Sequence, residues 1–222
     1  MCGIVGFVNN KENKEKIIKD MSKKIEHRGP DGEGFYIDDN CALAHRRLAI
    51  IDLNTGAQPI YNEDKSKVII YNGEVYNFKE LKEALLKKKH VFKTKTDTEV
   101  ILHGYEQWGE KLPNHLRGMF SFAIWDKNKN ELFMARDGFG IKPLYYAKFN
   151  DTFMFASEPK AFLANPDFEK KLNTDILSAY LCFNSVPTSE TFFKGVYRLD
   201  PGTYLIYKDG KIKTKSFFTL EF

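Results

Sequence analysis

The chain has 222 residues, of which 42% are hydrophobic and 14% aromatic, enough to bury one substantial core in one large domain. Its 34 basic and 30 acidic residues leave a net charge of +4, too small a surplus to indicate a nucleic-acid partner. Cys2, Cys41 and Cys182 form no CxxC pair, so neither a disulfide framework nor a cysteine zinc site is predicted. A reducing cytoplasm fits this composition best.

The N-terminal residues are predicted to form a buried strand. The apolar run from Ile4 to Val8 is too short for a signal sequence or a membrane span, so no membrane partner is expected. A lysine-rich amphipathic helix is predicted from Lys14 to Glu26, with its lysines on the solvent face. The start of the chain is therefore expected to be structural.

Short strands dominate the rest of the chain and predict antiparallel sheets. They are expected at 34–37, 41–51, 67–71, 119–125, 132–136, 144–148 and 153–156, with a terminal hairpin turning at Asp209-Gly210. Helices are expected at 77–88, 97–109, 158–163 and 174–182. Helices grouped around antiparallel strands make the fold class α+β.

Cys2 is the first candidate for chemistry. Removal of Met1 would leave a thiol and a free α-amine on one residue, with pKa values near ~8.5 and ~8, so the amine can act as a built-in base. Two alternatives stay open at this point. Cys2 can be a small apolar residue in a strand, or a cysteine can pair with His27 or His45 as base.

A cysteine amidohydrolase acting on free glutamine also needs a cation, an anion and oxyanion donors. Arg46 and Arg47 alternate on a predicted strand, so only one can face a given pocket. Asn72 and Gly73 are predicted at a strand end, where they can form an oxyanion hole. The Asn-Gly pair is also a common turn, and Asp97 is equally suited to begin a helix.

Five motifs together resemble, in order and spacing, those of the class II glutamine amidotransferases. They are Cys2-Gly3-Ile4-Val5-Gly6, His27-Arg28-Gly29-Pro30-Asp31, Ala44-His45-Arg46-Arg47-Leu48, Tyr71-Asn72-Gly73-Glu74 and Thr96-Asp97-Thr98-Glu99. Within that group the chain is similar to the glutaminase domain of glutamine-dependent asparagine synthetases, through residues 27–34, 44–53, 56–59 and 136–140. The resemblance implies an N-terminal-nucleophile hydrolase fold, an αββα four-layer sandwich with two antiparallel sheets between helical layers.

The resemblance also implies a reaction. Cys2 attacks the carboxamide of L-glutamine, ammonia leaves, and the γ-glutamyl thioester is hydrolysed to L-glutamate. Asn72 and Gly73 stabilise the oxyanion and complete the implied catalytic set. No metal or cofactor is expected for this reaction.

The implied substrate-binding residues divide by the end of glutamine that they hold. Arg47 binds the α-carboxylate, whereas Glu74 and Asp97 hold the amino end. Asn72 and Gly73 also count as substrate-binding residues, through the oxyanion that they stabilise. Main-chain groups of Ile50 and Ile51 line the site. Arg46 is then left on the other face of its strand.

Residues 2–215 are expected to form the glutaminase domain, and 216–222 the start of a connection to a synthetase domain. The Ser-Gly-Gly-Leu-Asp-like phosphate loop of such a domain does not occur before Phe222. The chain is thus expected to be an excised domain, a truncated product or a stand-alone subunit. ATP and Mg²⁺ are expected only for the absent synthetase half.

The expected partners are L-glutamine and a synthetase domain or subunit that uses the ammonia to convert aspartate to asparagine. Self-association into a homo-oligomer is left open. So are two other functions. The glutaminase can feed a different synthetase-like acceptor, or the domain can be a non-catalytic docking module.

Overall fold

Two six-stranded antiparallel sheets form the centre of the computed structural model, which describes residues 1–9, 12–49 and 56–220. The strands are β1 Gly3–Val8, β2 Gly32–Ile37, β3 Cys41–Arg47, β4 Ile60–Tyr61, β5 Lys67–Val75, β6 Gly118–Asp126, β7 Glu131–Arg136, β8 Tyr145–Phe149, β9 Thr152–Ala156, β10 Val196–Arg198, β11 Thr203–Lys208 and β12 Lys211–Ser216. The first sheet has the order β10-β8-β9-β1-β3-β2 and the second β12-β11-β7-β6-β5-β4.

Four α-helices and several 3₁₀ turns flank the sheets. The helices are α1 Lys14–Lys23, α2 Phe78–Lys87, α3 Asp97–Trp108 and α4 Leu177–Phe183. The 3₁₀ turns are Glu26–Arg28, Gly109–His115, Pro159–Ala164 and Thr174–Ile176. The helix predicted at 158–163 is therefore 3₁₀, with Pro159 at its first turn. No helix in the described part of the chain has the length and apolar character that a bilayer crossing requires.

The inner strands of the sheets bury both faces, which explains their continuous apolar runs. In β5, Val68 and Ile70 point into the core between the two sheets, whereas Ile69 and Tyr71 pack on the α2 and α3 side. A third core lies between the first sheet and α1, with Met21 buried in it. Three cores between four layers confirm the predicted αββα sandwich of class α+β.

Strand β1 lies inside the first sheet, between β3 and β9. Gly3 pairs with Arg46 and Val5 with Ala156. Ile4 also donates its N–H to Ser157 Oγ at 3.0 Å. Because pairing on both sides fixes β1, the position of Cys2, one residue before it, is set by the sheet.

The terminal hairpin forms at the predicted turn. Asp209 and Gly210 have φ angles of 49° and 73°, the left-handed values that a tight two-residue hairpin turn requires. They connect β11 to β12, whose register pairs Lys208 with Lys211.

Candidate active site

A cavity of about 220 Å³ opens beside Cys2. It is lined by residues from both sheets and from the start of α3. The predicted site residues that line it are Cys2, Arg47, Asn72, Gly73, Glu74 and Asp97. Ile50 and Ile51, also predicted to line the site, lie outside the described residues.

Cys2 is held by main-chain and arginine contacts. The N–H of Leu48 donates to Cys2 Sγ at 3.4 Å, and Sγ lies 3.7 Å from the Leu48 carbonyl oxygen. Arg28 Nε donates to the Cys2 carbonyl at 3.0 Å, and Arg28 is itself paired with Glu158 at 3.0 Å. These contacts fix the position of the Cys2 side chain and of its main chain.

The two histidines considered as bases lie in different environments. His27 Nε2 contacts Glu158 Oε1 at 2.8 Å, and His27 does not line the cavity. His45 lines the cavity and is 1% exposed. Burial lowers the pKa of His45 to about 3, so its imidazole is neutral near pH ~7 and a weak base.

The adjacent arginines point to opposite faces of the first sheet, as predicted from strand alternation. Arg46 Nε donates to Ser22 Oγ at 2.8 Å, and Arg46 pairs with Glu33 at 2.9 Å. It therefore packs against α1 and its surroundings. Arg47 lines the cavity, so of the two arginines it is the one placed beside Cys2.

The segment that follows α1 packs closely on β3. A Cβ on Gly29 would lie 2.4 Å from the Arg46 carbonyl oxygen, so only glycine permits this approach. Asp31 then donates its N–H to the Arg47 carbonyl at 3.0 Å and accepts from Ala49 N–H at 2.9 Å. These contacts anchor the chain on either side of Arg47.

Asn72 and Gly73 lie inside β5, and the prediction that they end a strand was wrong. They pair with Ser121 and Phe120 of β6, because cross-strand pairing outweighs the local turn preference of Asn-Gly. A Cβ on Gly73 would lie 2.3 Å from the Met119 carbonyl oxygen. Asn72 is 2% exposed, and its Nδ2 has no hydrogen-bond partner among the described residues.

Asp97 is the first residue of α3. Its Oδ2 accepts from the Tyr71 hydroxyl at 2.8 Å and from Val75 N–H at 2.9 Å. Burial raises the pKa of Asp97, and these hydrogen bonds oppose that rise. Glu74 also lines the cavity but is solvent-exposed, so the two carboxylates differ in solvation.

Gln58 is a cavity residue to which no role had been assigned. Its Oε1 accepts from Tyr71 N–H at 2.6 Å, and its Nε2 donates to Thr98 Oγ1 at 3.4 Å. It therefore ties β5 to the first turn of α3. Only the motif Gly56-Ala57-Gln58-Pro59 had marked this segment. Lys95, Met119 and Lys142 also line the cavity and carried no sequence signal.

Glu99 fixes the segment that leads into Asp97. Its carboxylate accepts from the N–H groups of Lys93 at 2.8 Å and Thr94 at 2.7 Å. Burial alone would raise the pKa of Glu99, but the nearby His103 imidazole and the hydrogen bonds from Lys93 and Thr94 outweigh it and hold the pKa at about 2. Thr96 occupies the helix N-cap position without a side-chain capping bond, so Glu99 supplies the order expected of a cap.

Known proteins match both the sequence and the fold. Asparagine synthetase [glutamine-hydrolyzing] 1 of Bacillus subtilis is 43% identical over 100% of this chain and 36% of its own length. Asparagine synthetase [glutamine-hydrolyzing] 2 of the same organism is also 43% identical, over 100% of this chain and 31% of its own length. The chain thus spans about a third of these relatives.

A solved structure supports the fold assignment. The allosteric regulatory enzyme of purine biosynthesis superposes with a TM-score of 0.73 at 21% identity, covering 97% of this chain and 49% of that one. This likeness confirms the N-terminal-nucleophile hydrolase fold. The glutamine amidotransferase domain family matches residues 1–218, and the chain is therefore a member of the glutamine amidotransferase domain family.

Proposed function

We propose that this domain hydrolyses L-glutamine to L-glutamate and ammonia, with the thiol of Cys2 as nucleophile. The observation that carries the proposal is the cavity itself. It brings the Cys2 sulfur together with an amide nitrogen of Asn72 that lacks a partner in the described structure. Arg47 provides a cation and Asp97 an anion on the same lining. These are the groups that a free amino acid with a side-chain amide requires.

Glutamine is oriented by its charged end. Arg47 binds the α-carboxylate, for which a guanidinium is well suited because it donates in a planar fork. Asp97 and Glu74 bind the α-ammonium. With both charges held, the side-chain amide is directed toward Cys2. The hydrogen bonds from Tyr71 and Val75 support an ionised Asp97.

The reaction proceeds through a thioester. Cys2 Sγ attacks the amide carbon while its proton passes to a base, and Asn72 Nδ2 and Gly73 N–H stabilise the oxyanion. The base then gives this proton to the departing nitrogen, the carbon–nitrogen bond breaks, and ammonia leaves. Water attacks the γ-glutamyl thioester, which releases glutamate and restores the thiol. No step calls for a metal or a cofactor.

The base is the α-amine of Cys2, exposed by removal of Met1. In the chain described here Met1 precedes Cys2, so that nitrogen is still part of a peptide bond. The low pKa of His45, about 3, supports the amine over a histidine. An amine with a pKa near ~8 is a far stronger proton acceptor at neutral pH.

The ammonia is used by a synthetase domain or subunit that makes asparagine from aspartate. This follows the names of the relatives, glutamine-hydrolysing asparagine synthetases. ATP and Mg²⁺ belong to that half of the reaction. The division between residues 2–215 and 216–222 stays a prediction, as do the cytoplasmic location and a homo-oligomer.

Replacement of the nucleophile is the primary test. Cys2→Ala removes the thiol, and we expect glutamate release from glutamine to fall by at least ~10³-fold. Cys182→Ala is the matched control, because Cys182 is exposed and distant in the chain, and it should retain parental activity. Parental turnover by Cys2→Ala would refute the proposal, and glutamine binding without turnover in the parent would favour a docking module.

A second test separates the amine from a histidine as base. Protein that retains Met1, prepared with methionine removal inhibited and verified by mass spectrometry, should be inactive although its thiol is intact. Removal of Met1 from the same preparation with an aminopeptidase should restore glutamate release. Equal activity before and after removal would exclude the amine as base while leaving Cys2 as nucleophile.

A further inference from the structure

A second cluster of titratable side chains lies at α3 and the segments packed beside it, away from the cavity. Glu63, His90 and His103 each offer one metal-ligand atom, and these atoms lie within 4.8 Å of one another. Glu106 joins them, since its Oε2 lies 2.8 Å from His103 Nδ1 and 3.6 Å from His90 Nδ1. None of these four residues lines the cavity beside Cys2.

We propose that Glu63, His90, His103 and Glu106 bind one Zn²⁺-like divalent cation. Nitrogen and carboxylate oxygen are ligands that zinc accepts. Around a tetrahedral zinc with bonds of ~2.0–2.1 Å, ligand atoms lie roughly 3.3–3.4 Å apart. The separations here bracket that value: 2.8 Å for His103 with Glu106, 3.6 Å for His90 with Glu106 and 4.0 Å for His103 with Glu63.

The groups behind the ligands are arranged as they are in metal sites. His103 is 1% exposed, and its second ring nitrogen, Nε2, has no hydrogen-bond partner in the described structure. That nitrogen faces Glu99 Oε1 at 3.7 Å. Metal-binding histidines commonly direct the second ring nitrogen to a carboxylate, which fixes the tautomer and raises ligand basicity. Binding a cation at Nδ1 would give Nε2–H this partner.

Glu106 is oriented in the same way. Its Oε1 accepts from Asn62 Nδ2 at 2.8 Å and lies 3.8 Å from Lys67 Nζ. These contacts occupy one oxygen and leave Oε2 facing both imidazoles. Two histidines and two carboxylates thus surround one position, with a third carboxylate on Glu99 behind them.

The site has an entrance. The Glu63 side chain is 42% exposed, whereas those of His90 and Glu106 are 15% and 17% exposed. A cation can therefore arrive from solvent at Glu63 and be held by the deeper ligands. The ligands join three parts of the chain: the turn between β4 and β5, the segment after α2, and α3. Binding would clamp these parts together, which is a stabilising rather than a catalytic role.

The test uses Zn²⁺ alone with the intact chain carrying Cys2→Ala and Cys182→Ser, so that accessible thiols cannot bind the metal. Equilibrium dialysis should give one zinc per chain. At a hundredfold excess over Kd, the Tm should rise by about 5–10 °C and return on chelation. Co²⁺ should give tetrahedral visible bands without the near-ultraviolet absorption of sulfur ligation.

Ligand variants locate the site. Glu63→Gln and His90→Gln change a half-exposed and a partly buried residue, and each should weaken zinc binding at least tenfold while leaving the metal-free Tm within a few degrees. His115→Gln, an exposed histidine outside the cluster, is the matched control and should bind normally. Failure to bind zinc, or binding that Glu63→Gln and His90→Gln leave unchanged, would overturn the proposal. The outcome is independent of glutaminase activity.

Discussion

The two walls of the cavity are built in different ways. Arg47 lies in β3 and Cys2 directly precedes β1, so the backbone pairing of β1 with β3 and β9 fixes both residues. On the opposite wall, side-chain hydrogen bonds dominate: the Tyr71 hydroxyl holds Asp97, and Gln58 links Tyr71 to α3. The first wall therefore moves only if the sheet separates. The second can be altered by single side chains without disturbing the strands.

The largest effect expected within this comparison is at Asn72. Asn72→Ala removes the proposed oxyanion donor, and we expect kcat to fall roughly 10²–10³-fold with little change in KM. Ser121→Ala, directly opposite on β6, is the matched control and should stay within about twofold. A raised KM with unchanged kcat would show that Asn72 binds glutamine without stabilising the transition state.

The adjacent arginines test the first wall. Arg47→Gln removes the proposed carboxylate partner, and we expect kcat/KM to fall roughly 10–100-fold, the size of one charged hydrogen bond. Arg46→Gln instead breaks contacts with Ser22 and Glu33, so it should lower Tm more than it changes KM. Steady-state kinetics and thermal unfolding distinguish the two, and reversed effects would contradict the assignment of faces.

The pH dependence of binding tests the second wall. In the proposed binding mode Asp97 must be ionised to bind the ammonium, and burial raises its pKa above the ordinary 3.8. Glutamine KM should therefore fall as pH rises through the raised pKa. The contribution of Asp97 to folding stability depends on pH in the opposite direction, since it decreases where binding improves. The folded state binds the proton more tightly, so the contribution of Asp97 is largest below pH 3.8 and decreases as pH rises to the native pKa.

Asp97→Asn separates these two effects. It should lose affinity for glutamine at every pH, and its Tm should fall less than that of the parent as pH rises from about 4 to 7. Parallel Tm profiles for the two proteins would contradict a raised pKa at Asp97.

The smallest effect is expected at Tyr71. Tyr71→Phe removes one hydrogen bond to ionised Asp97, so KM should rise about threefold to tenfold near neutral pH. The pKa of Asp97 should also increase, which moves the acidic limb of the 1/KM profile to higher pH. Tyr61→Phe is a control on the same sheet that does not line the cavity. An unchanged acidic limb in Tyr71→Phe would show that Asp97 does not set it.

The pattern of apolar residues along the chain predicted most of the fold, because the strands of both sheets follow that pattern. Alternation correctly separated Arg46 from Arg47, and the Asp-Gly turn at 209–210 formed where predicted. Asn72 and Gly73 show where that reasoning stops. Their turn preference is local, whereas pairing with β6 involves residues almost 50 positions away, which no local pattern reveals.

Those residues of the candidate site that belong to recognisable sequence motifs could be predicted from the sequence. Composition and spacing suggested Cys2 and the arginines, and the family resemblance completed the set. Gln58 and the cluster around His103 were missed, because their partners are brought together by the packing of α3 on the second sheet. His103 and Glu106 do share a helix face at i and i+3, but that spacing alone is common on solvated helices.

The interior position of β1 has a consequence for the order of folding. The strand that follows the thiol pairs with β3, about 40 residues later, and with β9, about 150 residues later. Long sequence separation makes such pairing slow and places it late in synthesis. During translation β1 cannot pair with β9 until β9 has been synthesised, so Met1 would remain accessible to processing enzymes in that interval. Assembly of the sheet would thus bring Cys2 to its final position only after most of the domain has been made.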